Sequence, residues 1–255
     1  MKSKNLTKAL TAGVFALSAG YAMQASAYNF SLTEYAGFVD GGQPVDFNNQ
    51  VVGDASVIPS ETTYGQISWL QGDSTQSSLS VTTNTGPSAL PADNWTTIST
   101  LQHDNVVIPS GLNFTNMEIL GRFIITDSDG GANVVLDEES PVFIDFTETP
   151  NVSAADCQGA NPLGSNCDDF FTYTVAGLQP LKFHDNSGGH WLAEFQLANF
   201  NNSFQIGNTV YTAENAVSTL DIQTRVTKIP EPGTLALLGM GLAGLGAAGR
   251  RRRKS

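Results

Sequence analysis

Between its two ends this chain is short of cations. Of its 12 Lys and Arg residues, eight lie at the termini, leaving Arg122, Lys182, Arg225 and Lys228 between residues 28 and 228. The same stretch holds 23 of the 24 acids, Glu231 being the exception, so its net charge is near −19. Neutralising phosphates takes clustered Lys and Arg, so the balance excludes nucleic acid and anionic lipid as partners. Histidine is scarce too: His103, His184 and His190 are all there are. No H-E-x-x-H and no G-x-S-x-G is present, which removes the local signatures of zinc peptidases and α/β-hydrolases. Beyond the termini no long stretch repeats at 3.6 residues, so a helical core is excluded as well.

What is present is strand-like. Thr219 to Val226 alternates, with Leu220, Ile222 and Val226 on one face and Asp221, Gln223 and Arg225 on the other. His190 to Leu197 puts Trp191, Ala193, Phe195 and Leu197 inward, and Val142, Ile144 and Phe146 alternate with Phe143 and Asp145. Gly207-Asn208, between Phe204-Gln205-Ile206 and Val210-Tyr211, predicts a tight hairpin. The Ser/Thr/Gly-rich stretch from Gln71 to Pro91 reads as exposed strand and loop, because Leu79 and Val81 interrupt it. Many short strands with turn residues about every ten positions predict one all-β domain over 28–228, an antiparallel β-sandwich of jelly-roll type. About 200 residues suffice for a single filled core.

The termini carry addresses. Lys2, Lys4 and Lys8 precede the apolar run Ala9 to Gly20, and Ala25-Ser26-Ala27 places small residues where signal peptidase cuts. These are the three parts of a secretory signal peptide, residues 1–27, with Tyr28 as the expected mature N-terminus. Residues 229–255 run "IPEPGTLALLGMGLAGLGAAGRRRRKS". The apolar part, Thr234 to Gly249, rises roughly 24 Å as a helix against about 30 Å of hydrocarbon core. Five glycines weaken it further. Such a segment suits a temporary hold more than a permanent anchor, and the basic block keeps it in the membrane with the body outside.

The order Pro230-Glu231-Pro232, short apolar helix, then Arg250, Arg251, Arg252 and Arg253 resembles the PEP-CTERM sorting signal of Gram-negative bacteria that secrete exopolysaccharide. The resemblance implies an exosortase-type enzyme that recognises the Pro-Glu-Pro element and removes the tail. Proline on both sides of the glutamate keeps the helix out of the recognition site. Three stretches of the body resemble the THxN family of PEP-CTERM proteins: "YGQISWLQGDSTQSSL" from Tyr64, "LQHDNVVIP" around His103 and Asn105, and "FIDFTETPNVSAADC…NCDDFFTY" from Phe143. Gln102 replaces the threonine of the family's Thr-His-x-Asn signature. The resemblance implies location and fold but no chemistry.

Cys157 and Cys167 enclose a Gly-, Pro- and Asn-rich loop and, in an exported chain, are expected to form a disulfide. Two places could take a hard cation, and calcium is the one cofactor candidate. "DSDGGANVVLDEE" sets Asp127, Asp129 and Glu138 at EF-hand-like spacing, although Ala132 stands where that loop needs glycine, and a hairpin turn is the simpler reading. Asp168 and Asp169, beside the cysteines, form the second. "HDNSGGH", from His184 to His190, fixes no catalytic geometry, and no catalytic residue is expected. Trp69, Trp95, Trp191 and six tyrosines among Asp and Asn offer stacking faces for sugars. The expectation is an exported, exosortase-processed, non-enzymatic structural protein of the cell surface or polysaccharide matrix. Its partners are signal peptidase, the sorting enzyme and exopolysaccharide. A lectin-like surface protein is the alternative, and a calcium-dependent glycan hydrolase stands further off.

Overall fold

The computed structural model of the chain describes residues 29–50, 62–69, 76–83, 88–107, 113–129, 132–174, 178–230, 233 and 239–242. The expected signal peptide, residues 1–27, lies outside them, as do Glu231, Pro232 and residues 250–253 of the sorting segment; Pro230 is described and exposed. Residues 239–242 are helical, and among the described residues no helix is long and apolar enough to cross a membrane.

The body is all β. In chain order its strands are β1 (Asn29–Val39), β2 (Asp46–Gln50), β3 (Thr63–Trp69), β4 (Ser77–Thr83), β5 (Ser88–Pro91), β6 (Thr96–Asn105) and β7 (Asn113–Asp127). Then come β8 (Asn133–Thr147), β9 (Asp169–Tyr173), β10 (Leu181–His184), β11 (His190–Asn201), β12 (Ser203–Ile206), β13 (Thr209–Thr212) and β14 (Ala216–Lys228). All the described strands belong to one sheet, ordered β10-β11-β14-β6-β4-β3-β1-β7-β8-β9-β13-β12, with β2 on β3 and β5 on β1. The pairings given for it are antiparallel, from β1–β7 to β8–β9.

A sandwich implies two sheets, and here a single sheet curls to make both layers. The far end comes back over β6 and β14: Ser203 Oγ donates to Thr219 O, Ser218 Oγ donates to Asn202 O, both at 2.7 Å, and His103 on β6 meets Thr212 on β13. The bend is carried by the long β7–β8 ribbon, whose register shifts between Phe114 and Met117, with Asn116 at φ +53°, and again between Ile125 and Thr126. Bulges of this kind raise local twist. Gly37 marks another tight place. A Cβ there would stand 2.7 Å from Thr63 Cβ and 3.0 Å from Tyr64 O, where β3 closes onto β1.

The alternating strands bury the faces their patterns predict. Trp191, Ala193, Leu220 and Val226 are buried, and Phe195, Leu197 and Ile222 pack against the core from partly buried positions. Ile206 pairs with Thr209 across Gly207-Asn208, with Gly207 at φ +60° as the hairpin requires. One apolar cluster, around Phe38, Ile67, Trp69, Leu79, Met117 and Phe146, fills one end of the curl. A second, around Phe30, Leu90, Ile98, Ile125 and Trp191, fills the other. Residues 77–83 differ from expectation. They form an interior strand between β3 and β6, with Ser77, Leu79 and Val81 buried on one face and Ser78 and Ser80 partly exposed on the other.

Candidate functional site: a buried carboxylate cluster

The first cluster ends in polar groups. Trp69 closes β3; His103 and Asn105 close β6; Glu148 follows β8; Asp169 opens β9; Glu214 lies in the link from β13 to β14. Antiparallel pairing brings these strand ends to one corner of the curled sheet. There one oxygen each from Glu148, Asp169 and Glu214 lies within 4.8 Å of the other two. All three residues are buried, at 4%, 0% and 7% exposure.

Two of the carboxylates are held in place. Asp169 Oδ1 accepts from Thr149 N at 2.7 Å and from Thr149 Oγ1 at 3.2 Å. Asn105 Nδ2 spans the cluster, donating to Asp169 Oδ2 at 2.9 Å and Glu214 Oε2 at 3.2 Å. Glu148 is different. Neither of its oxygens closes a hydrogen bond among the described residues, and the same holds for Glu214 Oε1, Asn105 Oδ1 and Trp69 Nε1. The Trp69 indole faces the Glu148 carboxylate closely enough to favour its ionised form, short of a hydrogen bond.

Burial, and then the charges of Asp169 and Glu214, push Glu148 well above the usual carboxylate range. Burial raises Asp169 as well, against the pull of the Thr149 and Asn105 donors. Glu214 is pushed up to about 7, by burial first and by Asp169 second. Three carboxylates this close cannot all ionise unaided, so at neutral pH the cluster by itself shares protons.

His103 stands beside this corner as a core ring. It stacks on Trp69 at 5.5 Å and meets Phe171 edge-on at 5.1 Å, and its Nδ1 shares a 2.9 Å hydrogen bond with Thr212 Oγ1. Burial lowers it to about 3, so the ring is neutral at physiological pH. The three stretches that resemble the THxN family thus meet here: Trp69 from the first, His103 and Asn105 from the second, Glu148 and Asp169 from the third.

The acids singled out in the sequence do not form one site. Asp127 caps the β7–β8 hairpin: its Oδ1 accepts from Asp129 N at 2.8 Å and its Oδ2 from Asn186 N at 2.9 Å. Asp129 is exposed, and Glu138 pairs with Phe123 far along the ribbon, so the EF-hand-like spacing is drawn out as strand. Asp168 holds the cysteine loop, accepting from Leu163 N at 2.7 Å and Ser165 Oγ at 2.6 Å. Of the four, Asp169 alone joins the cluster. Cys157 and Cys167 are disulfide-bonded, with Cα atoms 5.4 Å apart. His184 and His190 face each other across an exposed turn, Nε2 to Nδ1 at 2.9 Å. Trp69 and Trp191 are buried, and the Arg225 guanidinium lies 4.6 Å over the Trp95 ring.

Glu148 and Glu214 had no signal of their own in the sequence. They lie 66 residues apart, each just past a strand, and only the register of non-neighbouring strands joins them.

Comparison with known proteins bears on the tail. Residues 228–253 match the family model of the PEP-CTERM protein-sorting motif. The match stops at the end of β14 and does not reach the body. No curated protein matches the chain. The chain therefore carries a PEP-CTERM motif, which marks it for export and for an exosortase-type enzyme, with a membrane-held sorting signal at its C-terminal end.

Proposed function

We propose that the exported body is a non-enzymatic structural protein of the cell surface or extracellular polysaccharide matrix. The observation that supports this most is how its reactive side chains are placed. His103 is sealed in aromatic rings, and the three clustered carboxylates lie under the sheet edge where a sugar ring cannot reach them. General acid–base work requires a group within reach of a substrate proton. The carboxylates that remain at the surface keep the body acidic and self-repelling.

Fractionating the native host and mass-mapping both termini tests the reading. The body is expected in the outer or matrix fraction, starting at Tyr28 and ending near Pro232. Retention in the inner membrane with residues 250–254 intact, or hydrolysis of a glycoside by the purified protein, overturns it.

A carbohydrate-binding role has one observation in its favour. A cleft of about 420 Å³ lies between the disulfide loop and the Phe170–Tyr211 ring pair, with Asp156 and Gln158 on its wall. Rings beside hydrogen-bonding groups are what a sugar face needs. Retention on the host polysaccharide that Tyr211→Ala abolishes would favour this role. Equal retention of both proteins, or none, speaks against it.

A further inference from the structure

We propose that Glu148, Asp169 and Glu214 form a site for one divalent cation of the calcium class, with the Asn105 amide beside them. The proposal is independent of where the body finally resides.

Three observations carry it. The donor atoms are all hard oxygens, the chemistry that calcium selects. Ligands at about 2.3–2.6 Å from a common centre stand at most about 4.6–5.2 Å apart, and the three carboxylate oxygens fall within 4.8 Å of one another. The third observation is the unmet hydrogen-bonding capacity around them. Trp69, 1% exposed, brings its indole N–H close to the Glu148 carboxylate, and among the described residues neither that N–H, nor either Glu148 oxygen, nor Glu214 Oε1 closes a hydrogen bond within 3.5 Å, although all are buried. Asp127, Asp168 and Asp185, also buried, are each met by backbone or side-chain donors. Buried polar groups without partners are rare, and an ion is one of the few things that satisfies several oxygens at once.

The surroundings resemble the outer shell of a metal centre. Thr149 and Asn105 fix Asp169, Asn105 also reaches Glu214, and Trp69 steers Glu148. Burial of the three carboxylates disfavours magnesium, which sheds its hydration shell reluctantly. Two positive charges against three carboxylates leave the corner near charge balance. Because the ligands come from the end of β8, the start of β9 and the β13–β14 link, and Asn105 at the end of β6 bonds two of them, a bound ion ties these segments together.

The test uses the full chain purified from its host and stripped with EGTA. Calorimetric titration with calcium is expected to give one site per chain, and calcium is expected to raise Tm at concentrations where magnesium or added sodium chloride does little. Glu148→Gln should weaken binding by more than about tenfold, whereas Asp129→Asn, at the exposed hairpin, should leave it unchanged. Terbium gives a readout that needs no carboxylate variant: its luminescence, excited through tryptophan, should appear on binding, fall as calcium is added, and be lost in Trp69→Phe. Equal effects of calcium, magnesium and sodium, unaltered calcium binding in Glu148→Gln, or no terbium signal displaced by calcium would each overturn the proposal.

Discussion

Asp185 and Glu148 are both buried carboxylates set beside a tryptophan, and the fold treats them in opposite ways. Asp185 sits in the β10–β11 turn. Its Oδ1 accepts from Ser187 N, Ser187 Oγ and Gly189 N at 2.7–2.8 Å, and its Oδ2 accepts from Trp191 Nε1 at 2.8 Å. Glu148 is equally buried, and Trp69 stands beside it, yet among the described residues its oxygens close no hydrogen bond. Asp127 and Asp168 follow the pattern of Asp185, each organising its own loop. A carboxylate ringed by donors serves structure. In the group of three, Asp169 is held by Thr149 and Asn105, while among the described residues both Glu148 oxygens and Glu214 Oε1 close no hydrogen bond within 3.5 Å and have capacity left for something else.

The largest expected effect tests the contrast directly. Asp185→Ala strands the buried Trp191 indole N–H and removes the acceptor that organises the Ser187–Gly189 turn, and should cost about 3–5 kcal/mol in denaturant unfolding. Glu148→Gln in EGTA replaces a carboxyl that burial and its two acidic neighbours already keep protonated, so it should change stability by less than about 1 kcal/mol. If the two substitutions cost the same without cation, the contrast fails.

Glu34 offers an intermediate case. It is buried on β1, where Ser99 Oγ donates to it from 3.0 Å to both oxygens. Burial outweighs that bond and raises it to about 7. Since the folded value exceeds the ordinary 4.5, the folded state binds the proton more tightly. Stability is therefore lost as pH rises from about 4.5 to 7, by about 3 kcal/mol in all. Glu34→Gln should flatten that part of the pH profile, measured by urea unfolding from pH 4 to pH 8. An unchanged slope would show that the carboxyl is solvated.

The smallest effect concerns the disulfide. Cys157→Ser should lower stability by roughly 2–3 kcal/mol in the chain-entropy view, with less local disorder than the loop's composition suggests, because Asp168 and Asn161 still hold it. Ser165 in that loop also accepts from Glu214 N at 3.0 Å. The same substitution should therefore weaken calcium binding in the titration described above, linking the two kinds of acidic site.

Much of the architecture was legible because it is local. Alternation around Trp191 and Leu220, the Gly207-Asn208 turn and the cysteine pair each depend on residues within about ten positions. The interior place of Ser77–Thr83 was not legible, since its serines alternate with only two large apolar residues and the burial comes from β3 and β6 on either side. Trp69 misled in the same way: it looks like a stacking face in a polar sequence yet is buried, whereas Trp191 is buried as the alternation of its strand predicts. For the cluster, composition pointed to hard cations, and Asp169 was within reach beside the cysteines. Glu148 and Glu214 became its partners only through pairings that close the curl. The hairpin turn was the simpler reading of the EF-hand-like spacing, and Val134 to Glu138 lie on β8 paired along β7.

The last strand has a mechanical consequence. β14 is bound on both sides, by β11 and β6, and the ladder continues to Ile229, whose N–H reaches His190 O at 2.8 Å. Pro230 follows immediately. At about 3.3–3.6 Å per residue, the five residues from Ile229 to Gly233 span less than about 18 Å before the apolar segment begins. Until it is cut, the folded body is thus on a short leash. It rides close to the membrane face with little freedom to swing, and the sorting enzyme must work in a gap that the body itself helps to define. Lengthening that leash with flexible residues after Ile229 would widen the gap without touching a strand.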